Sequence, residues 1–381
     1  MVPVTDRIRV GVAGLGAVAQ SVHLPLLARR WDLFETVAVC DLSPSLRDDI
    51  GEQYGVPAGH RHPDVEHLLG DAELDGVVLL TSGSHGADAL SALRRGVPVF
   101  CEKPLAYTLA EADQLTAATA GTDRPALLLA YMKERDDAVA RLGELLAGVD
   151  GVRAVEVRVL HPTGASQLMH ANLRPAPADL PAPVVAELRR RDEALLDAAL
   201  GAGTHPRFRA LYSSVVVSSL VHDISLLRVL FGGLRDVDDV RVWPDAVFPP
   251  SVEVTGTLGA GVRARLSWHY LPDYPAYRET LAVHHARGTL EVTFGTPYLL
   301  NAPTRLKVVE SAPGGEVRST YRSKGESFEN ELVEFHRMVT EGRPPRSGIP
   351  EGRADTVTSQ RIMRRFADQN GIQIGGEAAT A

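Results

Sequence analysis

The stretch IRVGVAGLGAVA (8–19) combines an apolar strand, a glycine-rich turn and the start of a helix. From Gly14 onward it has the spacing G-x-G-x-x-A. In this arrangement the first glycine permits a tight turn, the second lets the backbone approach a pyrophosphate, and the small last residue brings the helix close to the strand. The stretch therefore predicts a dinucleotide site, and a glycine-rich turn without a ligand is the alternative. The turn residues expected to contact the cofactor are Gly14, Gly16, Ala17 and Val18.

Short apolar runs alternate with amphipathic stretches through the first third of the chain. Continuous apolar strands separated by helices predict a parallel sheet covered on both faces. We therefore expect residues 1–132 to form a doubly wound α/β domain that binds the dinucleotide. The predicted strands are 8–14, 36–40, 76–81, 97–101 and 126–131.

The pattern changes after residue 133. VRAVEVRVL (152–160) alternates apolar and polar residues, which predicts a strand with one exposed face. Residues 133–370 are therefore expected to form a second, α+β domain. Within it, residues 171–206 are rich in Pro and Ala and then strongly charged, and we interpret them as an insertion or lid over that domain. The tail 371–381 is expected to be disordered.

Composition excludes several classes of protein. Of 381 residues, 44% are hydrophobic and 23% charged, which is typical of a soluble protein. The net charge of −8 argues against a nucleic-acid partner, which would need a basic face. Apolar runs fall short of the ~18–20 residues of a membrane span, so no membrane partner is expected. The N-terminal MVPVTDRIRV leads directly into a strand without a signal peptide, and Cys40 and Cys101 end buried strands, so we expect a cytoplasmic protein without disulfides.

Asp41 ends the second predicted strand, 25 residues after Gly16. A carboxylate at this place accepts the ribose hydroxyls of adenosine and repels a 2′-phosphate, which favours NAD. Arg47 could accommodate a 2′-phosphate, so NADP stays open as an alternative. The other interpretation of Asp41 is a turn or cap residue ahead of Ser43.

Lysine is rare in this chain: only four of the 40 basic Lys and Arg residues are lysine. One of them, Lys103, follows the predicted strand 97–101 together with Glu102, and the carboxyl ends of such strands face the ligand crevice. A partly desolvated lysine there can exchange a proton with a substrate hydroxyl while hydride moves at the nicotinamide. Pro104 would fix the backbone that aims it, which leads us to hypothesise a cis peptide. A surface loop lysine is the alternative.

Four segments carry a resemblance to a known family. GVAGLGAVA (11–19), VCD (39–41), VPVFCEKPLA (97–106) and AYMKERDDAV (130–139) resemble the Gfo/Idh/MocA oxidoreductases. The resemblance implies an N-terminal Rossmann domain and a C-terminal α+β domain built on an open, mainly antiparallel sheet. It also implies that Lys103 acts in proton transfer, and that homodimers or homotetramers form through the C-terminal sheet.

The same resemblance implies further site residues. Lys133 would point toward the substrate, with a hinge ion pair as the alternative. His222 would bind substrate or act in catalysis, and the alternative is a core histidine. The family's aspartates four residues before and three after this histidine are here Ser218 and Ser225. Helical spacing would place Ser218 and His222 on one face, so both are candidate substrate contacts.

Two other histidine-containing regions need an interpretation. The loop Thr81-Ser82-Gly83-Ser84-His85 departs from the family's Thr-Pro pattern, yet it should line the cofactor cleft. Its candidate cofactor contacts are Thr81, Ser82 and His85, together with Glu102 and Lys103 of the next strand end. The close pairs His60/His62 and His284/His285 lack a third converging ligand in the sequence, so no metal site is expected.

The sequence therefore predicts an NAD(P)-dependent dehydrogenase or reductase acting on CH–OH groups, with a small polyhydroxylated substrate. Hydride would pass between the nicotinamide and a hydroxyl or keto carbon of a sugar, a sugar derivative or a cyclitol, with Lys103 as proton donor or acceptor. Two alternatives remain. One is a non-catalytic dinucleotide-binding regulatory protein of the same fold, and the other is an imine reductase on a related fold, in which Lys103 is dispensable.

Overall fold

The computed structural model describes residues 7–381 except 72, 123 and 176. The chain forms two compact units. The first comprises Met1–Tyr131, Ala171–Gly203 and Glu331–Thr356, and the second comprises Met132–His170, Thr204–Asn330 and Val357–Ala381. Residues 1–6, on which the expectation of no signal peptide partly rests, lie outside the described residues.

The first unit is built on a six-stranded parallel sheet of strand order β3-β2-β1-β4-β5-β6. This order is that of the Rossmann fold and confirms the predicted doubly wound α/β domain. The strands β4, β5 and β6 are buried along their whole length, as helices on both faces require. The strands are β1 Ile8–Ala13, β2 Phe34–Cys40, β3 Arg61–His62, β4 Gly76–Leu79, β5 Val99–Glu102 and β6 Leu127–Ala130.

The second unit contains an eight-stranded sheet of order β14-β13-β12-β11-β7-β10-β9-β8. In the described residues β7 and β10 pair in parallel and the other neighbours pair antiparallel, which confirms the expected mainly antiparallel sheet. Alternating burial along β7 leaves one of its faces exposed, as its sequence predicts. The strands are β7 Val152–His161, β8 Asp236–Trp243, β9 Ser251–Thr257, β10 Arg263–Tyr270, β11 Arg278–His285, β12 Gly288–Phe294, β13 Arg305–Ala312 and β14 Gly315–Arg322.

The helices begin and end with local signals that are visible in the sequence. Ser43 caps the second helix by accepting the Leu46 N–H at 3.1 Å, and Thr108 and Glu111 form a capping box at the fifth. The α-helices are α1 Leu24–Arg29, α2 Pro44–Gln53, α3 Val65–Leu69, α4 Gly86–Arg94, α5 Leu109–Ala118, α6 Asp137–Leu146, α7 Gly164–Leu168, α8 Ala182–Leu200, α9 Pro206–Leu211, α10 Val221–Phe231, α11 Ser327–Glu341 and α12 Ile349–Asn370. Short 3-10 turns lie at Ala58–His60, Met132–Arg135, Met169–Ala171, Gly259–Gly261 and Glu377–Ala379.

Two π-helical turns lead into α-helices, at Ala19–His23 and Tyr212–Leu220. The second makes Pro206–Phe231 one continuous helical stretch, which ends where Gly232 takes a left-handed conformation. By length and composition this stretch could cross a membrane, although 56% of its apolar window is buried inside the structure. The core helix of a soluble protein meets the same criteria.

The structure differs from the expected organisation in two places. Residues 171–203 belong to the first unit and not to the second, and they are hydrogen-bonded to residues of the first unit. The tail is ordered: Gln360 donates to the Glu377 carboxylate at 2.8 Å, and Arg364 donates to the Ala381 carbonyl at 2.8 Å. The amino-acid composition of a segment does not reveal such hydrogen bonds to distant residues, so neither the placement of 171–203 nor the order of the tail was predicted.

Candidate functional site

The glycine turn after β1 has the geometry that its sequence predicts. Gly14 has φ +89°, and a Cβ placed on it would lie 2.6 Å from the carbonyl carbon of Leu80, so only glycine fits. Gly16 is exposed, and a Cβ there would meet no atom within 4 Å. The backbone at Gly16 is therefore open to a ligand, as close approach of a pyrophosphate requires.

Substitution by alanine is expected to have different effects at Gly14 and at Gly16. We expect Gly14→Ala to lower the free energy of unfolding by about 2 kcal/mol or more, because the methyl group would collide with backbone at a positive φ. Gly16→Ala should leave stability unchanged and weaken NAD binding at least about tenfold, because its methyl group would fill the space open to the pyrophosphate. Chemical denaturation and calorimetric titration with NAD measure the two effects. Unimpaired NAD binding by Gly16→Ala would contradict a cofactor site at this turn.

Asp41, directly after β2, links that strand to the glycine turn. Its carboxylate accepts the Leu15 N–H at 2.8 Å and the Ser43 N–H at 2.9 Å. Arg47 donates to the Asp41 carbonyl at 3.4 Å. The carboxylate is thereby held beside the turn, at the edge of the sheet where a ribose role requires it.

Lys103 follows the carboxyl end of β5, two strands from β1 in the sheet. The neighbouring Glu102 is buried, with one oxygen 2.9 Å from Nε2 of fully buried His23 and the other accepting the Lys103 N–H at 3.1 Å. Burial raises the pKa of Glu102, but the hydrogen bond and charge of His23 and the charge of Lys103 outweigh it and lower the pKa overall. Glu102 is thus an anion that fixes the backbone at Lys103. The Lys103–Pro104 peptide bond is cis, as hypothesised.

His23 is a residue of this site that the sequence did not predict. It lies in the helical turn after the glycine motif, where every neighbouring residue suits a helix packed on the sheet. Only the pairing of β1, β4 and β5 brings this turn beside Glu102. A lone histidine in a helix gives no signal of such a partner.

The loop between β4 and α4 lies at the same sheet edge. Thr81 is half-buried and Ser82 exposed, so both remain available as cofactor contacts. His85 is only 1% exposed, and its Nδ1 lies 2.8 Å from the Pro104 carbonyl oxygen. Burial lowers the pKa of His85 and favours its neutral form. The structure therefore makes His85 a buried link between this loop and the Lys103–Pro104 segment, and its cofactor contact stays a prediction.

In the second unit, Lys133 is buried in the turn Met132–Arg135. Its Nζ lies 2.5 Å from Oε2 of Glu279, which is fully buried, and 5.5 Å from the centre of the Phe294 ring. The Tyr277 hydroxyl donates to the same carboxylate. Lys133 therefore has an ion-pair partner on β11 of the same unit, whereas a hinge ion pair would join the two units, and its substrate contact stays a prediction.

Asp223 adds a second carboxyl group to this cluster. It is 1% exposed, and burial together with the charge of Glu279 raises its pKa well above the ordinary range, partly offset by Lys133. Two adjacent buried carboxyl groups cannot both ionise without cost, so we assign a proton to Asp223. Sequence reasoning missed Glu279, Tyr277 and Asp223. A single acidic residue within the apolar strand RETLAVHH was the only signal.

His222 lies on α10 beside Asp223 and is 9% exposed. Ser218 lies in the π-helical turn before it, half-buried, and its hydroxyl donates to the Ser214 carbonyl. Ser225 is buried and donates to the His222 carbonyl at 2.9 Å. The argument that Ser218 and His222 share a face assumed α-helical spacing, and the wider π turn changes that phase.

The pair His60/His62 does have a third converging group, which is Asp71. The Asp71 carboxylate lies 3.3 Å from Nε2 of His62 and also bonds Nδ1 of His60. The three potential ligand atoms lie within 4.8 Å of one another. The cluster corrects the expectation that this pair lacks a third converging ligand. The sequence showed no sign of it because Asp71 approaches only through the fold.

Comparison with known proteins agrees with this geometry. Residues 8–128 match the family model described as oxidoreductase family, NAD-binding Rossmann fold, GFO_IDH_MocA. The chain is 26% identical to an inositol 2-dehydrogenase of Acidothermus cellulolyticus over 379 residues, which are 97% of this chain and 95% of that protein.

Two solved structures share the fold across nearly the whole chain. An aldose-aldose oxidoreductase from Caulobacter crescentus superposes with TM-score 0.71 at 18% identity, covering 95% of this chain and 98% of that one. A UDP-N-acetylglucosamine 3-dehydrogenase from Acidithiobacillus ferrooxidans superposes with TM-score 0.67 at 20% identity, covering 97% and 100%. The family match covers the glycine turn and the Glu102-Lys103-Pro104 segment, which both lie in the first unit. Over residues 8–128 the chain resembles the NAD-binding Rossmann domain of the Gfo/Idh/MocA oxidoreductases, and over nearly its whole length it resembles an inositol 2-dehydrogenase.

Proposed function

We propose that this protein is an NAD-dependent dehydrogenase that acts on a CH–OH group of a cyclitol, a sugar or a sugar derivative. The observation that carries the proposal is the placement of Lys103. It directly follows β5, beside a buried anionic Glu102, at the sheet edge that also presents the open Gly16 backbone and Asp41. The inositol 2-dehydrogenase similarity supports a polyhydroxylated ring as substrate.

The residues at this edge fit the dinucleotide. The exposed turn Gly16–Ala17 would receive the pyrophosphate, Asp41 the adenosine ribose, and Thr81 and Ser82 the part of the cofactor beyond β4. A dinucleotide held by these residues would supply the hydride acceptor for the oxidation and the hydride donor for the reduction. Lys103 takes the hydroxyl proton in the oxidation and gives it back in the reduction. Glu102 holds the backbone of Lys103 and adds a negative charge beside it.

In the second unit we retain His222 and Ser218 as proposed contacts to neighbouring substrate hydroxyls. Imidazole and hydroxyl groups can each donate or accept a hydrogen bond to such a hydroxyl. Lys133 stays a proposed substrate contact as well, with its amine held by Glu279. We also propose that the protein forms a homodimer or homotetramer through the exposed face of the eight-stranded sheet. Its proposed location is the cytoplasm.

The test is turnover by the purified protein with NAD or NADP and a panel of cyclitols, aldoses and nucleotide sugars. The proposal expects substrate-dependent absorbance of the reduced nicotinamide with at least one cyclitol or sugar, and faster with NAD than with NADP. Tight NAD binding without turnover on any member of the panel would favour the non-catalytic regulatory protein. Turnover confined to imines would favour the reductase alternative.

A further inference from the structure

We propose that Asp179, in the segment 171–203, is a specificity-determining residue that excludes NADP from the cofactor site. The inference rests on the proposed function, because it concerns which dinucleotide the first unit accepts. Asp179 lies far from the glycine motif in sequence, and its carboxylate occupies hydrogen-bond donors beside the ribose-binding Asp41.

The contact itself is specific. One oxygen of Asp179 accepts the Ser43 hydroxyl at 2.5 Å, and the other accepts the Ser45 N–H at 2.8 Å. Ser43 is fully buried and caps α2, and Ser45 lies in the first turn of that helix. These two hydrogen bonds lower the pKa of Asp179 to about 2, so the carboxylate is ionised at any physiological pH. A permanent anion therefore sits at the N-terminus of α2.

The Asp179 carboxylate lies near the proposed ribose site because Asp179 and Asp41 both accept hydrogen bonds from Ser43. The Ser43 N–H donates to Asp41 at 2.9 Å, so the donors that Asp179 occupies adjoin the carboxylate proposed to hold the ribose hydroxyls. A phosphate on the 2′-hydroxyl would need donors next to the ribose, and a helix N-terminus with a free hydroxyl and N–H suits it. Asp179 fills these donors and adds a second negative charge, so a 2′-phosphate meets repulsion where it would otherwise bind. NAD lacks this phosphate and is not affected.

Other contacts of the same segment hold Asp179 in place. The Arg174 N–H donates to Gln20 at 2.9 Å, and its guanidinium donates to Gln53 at 3.2 Å. Gln20 in turn donates to the Leu15 carbonyl at 2.8 Å, within the glycine turn. Further along, the carboxylate of Asp192 on α8 lies 3.2 Å from where a Cβ of Gly83 would be. The segment thus passes from the end of β2 to the end of β4, along the edge of the sheet that the cofactor needs.

The experiment measures NAD and NADP affinity of the full-length protein by calorimetric titration, for the parent, Asp179→Ala and Glu187→Ala. Glu187 is the matched control, because it is an exposed acid of the same segment whose carboxylate pairs with Arg190. We expect Asp179→Ala to raise NADP affinity at least about tenfold, roughly 1.4 kcal/mol, with NAD affinity nearly unchanged. Arg47 beside Asp41 would then attract the 2′-phosphate against one carboxylate fewer. Glu187→Ala should leave the NAD-to-NADP ratio of the parent.

Three results would overturn the inference while leaving the proposed function intact. One is an NAD-to-NADP ratio in Asp179→Ala equal to that of Glu187→Ala. Another is an equal loss of affinity for both cofactors, which would make Asp179 a structural anchor only. The last is a parent protein that binds NADP as well as NAD. A parent that binds neither dinucleotide would instead refute the proposed function itself.

Discussion

Replacing Lys103 by methionine is expected to lower kcat by about 100- to 10,000-fold, the range typical of a lost general acid–base catalyst. Methionine keeps the length and apolar stem of lysine, while the amine that exchanges the hydroxyl proton is gone. The peptide N–H of residue 103 can still donate to Glu102, so the backbone of the strand end is preserved. We therefore expect NAD affinity and stability close to those of the parent, which separates a catalytic loss from a folding defect.

Lys307→Met is the matched control, because Lys307 is an exposed lysine on β13. It changes charge and side chain in the same way and should leave kcat unaltered. Steady-state kinetics, NAD titration and thermal denaturation are measured on both variants. Undiminished turnover in Lys103→Met would remove Lys103 from the mechanism and favour the imine reductase, in which another acid serves.

Lys133→Met should lower the free energy of unfolding by about 3–5 kcal/mol, the usual effect of removing one partner of a buried ion pair. The substitution leaves the fully buried carboxylate of Glu279 with Tyr277 as its hydrogen-bond donor and with Asp223 as an acidic neighbour. The unpaired charge must then be buried without compensation, or take up a proton. Urea denaturation of Lys133→Met and of Lys307→Met measures the difference.

A double variant distinguishes the ion pair from lost packing. Lys133→Met combined with Glu279→Gln removes both charges, and we expect it to recover part of the stability lost in Lys133→Met. Such recovery would show that the unpaired carboxylate, and not the missing lysine stem, causes the loss. A loss below about 1 kcal/mol in Lys133→Met would contradict the buried pair, since exposed pairs contribute no more than that.

The fold of the first unit was largely predictable because its signals are local. Continuous apolar strands and the glycine spacing each depend on a few neighbouring residues. The two-residue strand β3 was missed because it is too short for any periodicity to show. In the second unit the alternation along β7 predicted an exposed face, but nothing in the sequence predicted that β7 pairs in parallel with β10.

The sequence predicted only those site residues whose type and position follow from a recognisable sequence motif. Gly14, Asp41 and Lys103 were found in that way. The partners that tune them lie far away in sequence: His23 is 79 residues from Glu102, and Asp179 is 136 residues from Ser43. Glu279 is 146 residues from Lys133. Such pairs form only when distant strands and helices come together, so no local pattern marks them.

Deuterium transfer tests the central claim most directly. The substrate is a cyclitol or sugar that the protein turns over, deuterated on its hydroxyl-bearing carbon, and the reduced cofactor is analysed by mass spectrometry. Direct hydride transfer predicts one deuterium in the reduced nicotinamide, with Lys103→Met forming little of the labelled product. Reduced cofactor without deuterium, or label released to water, would contradict the proposed dehydrogenase mechanism.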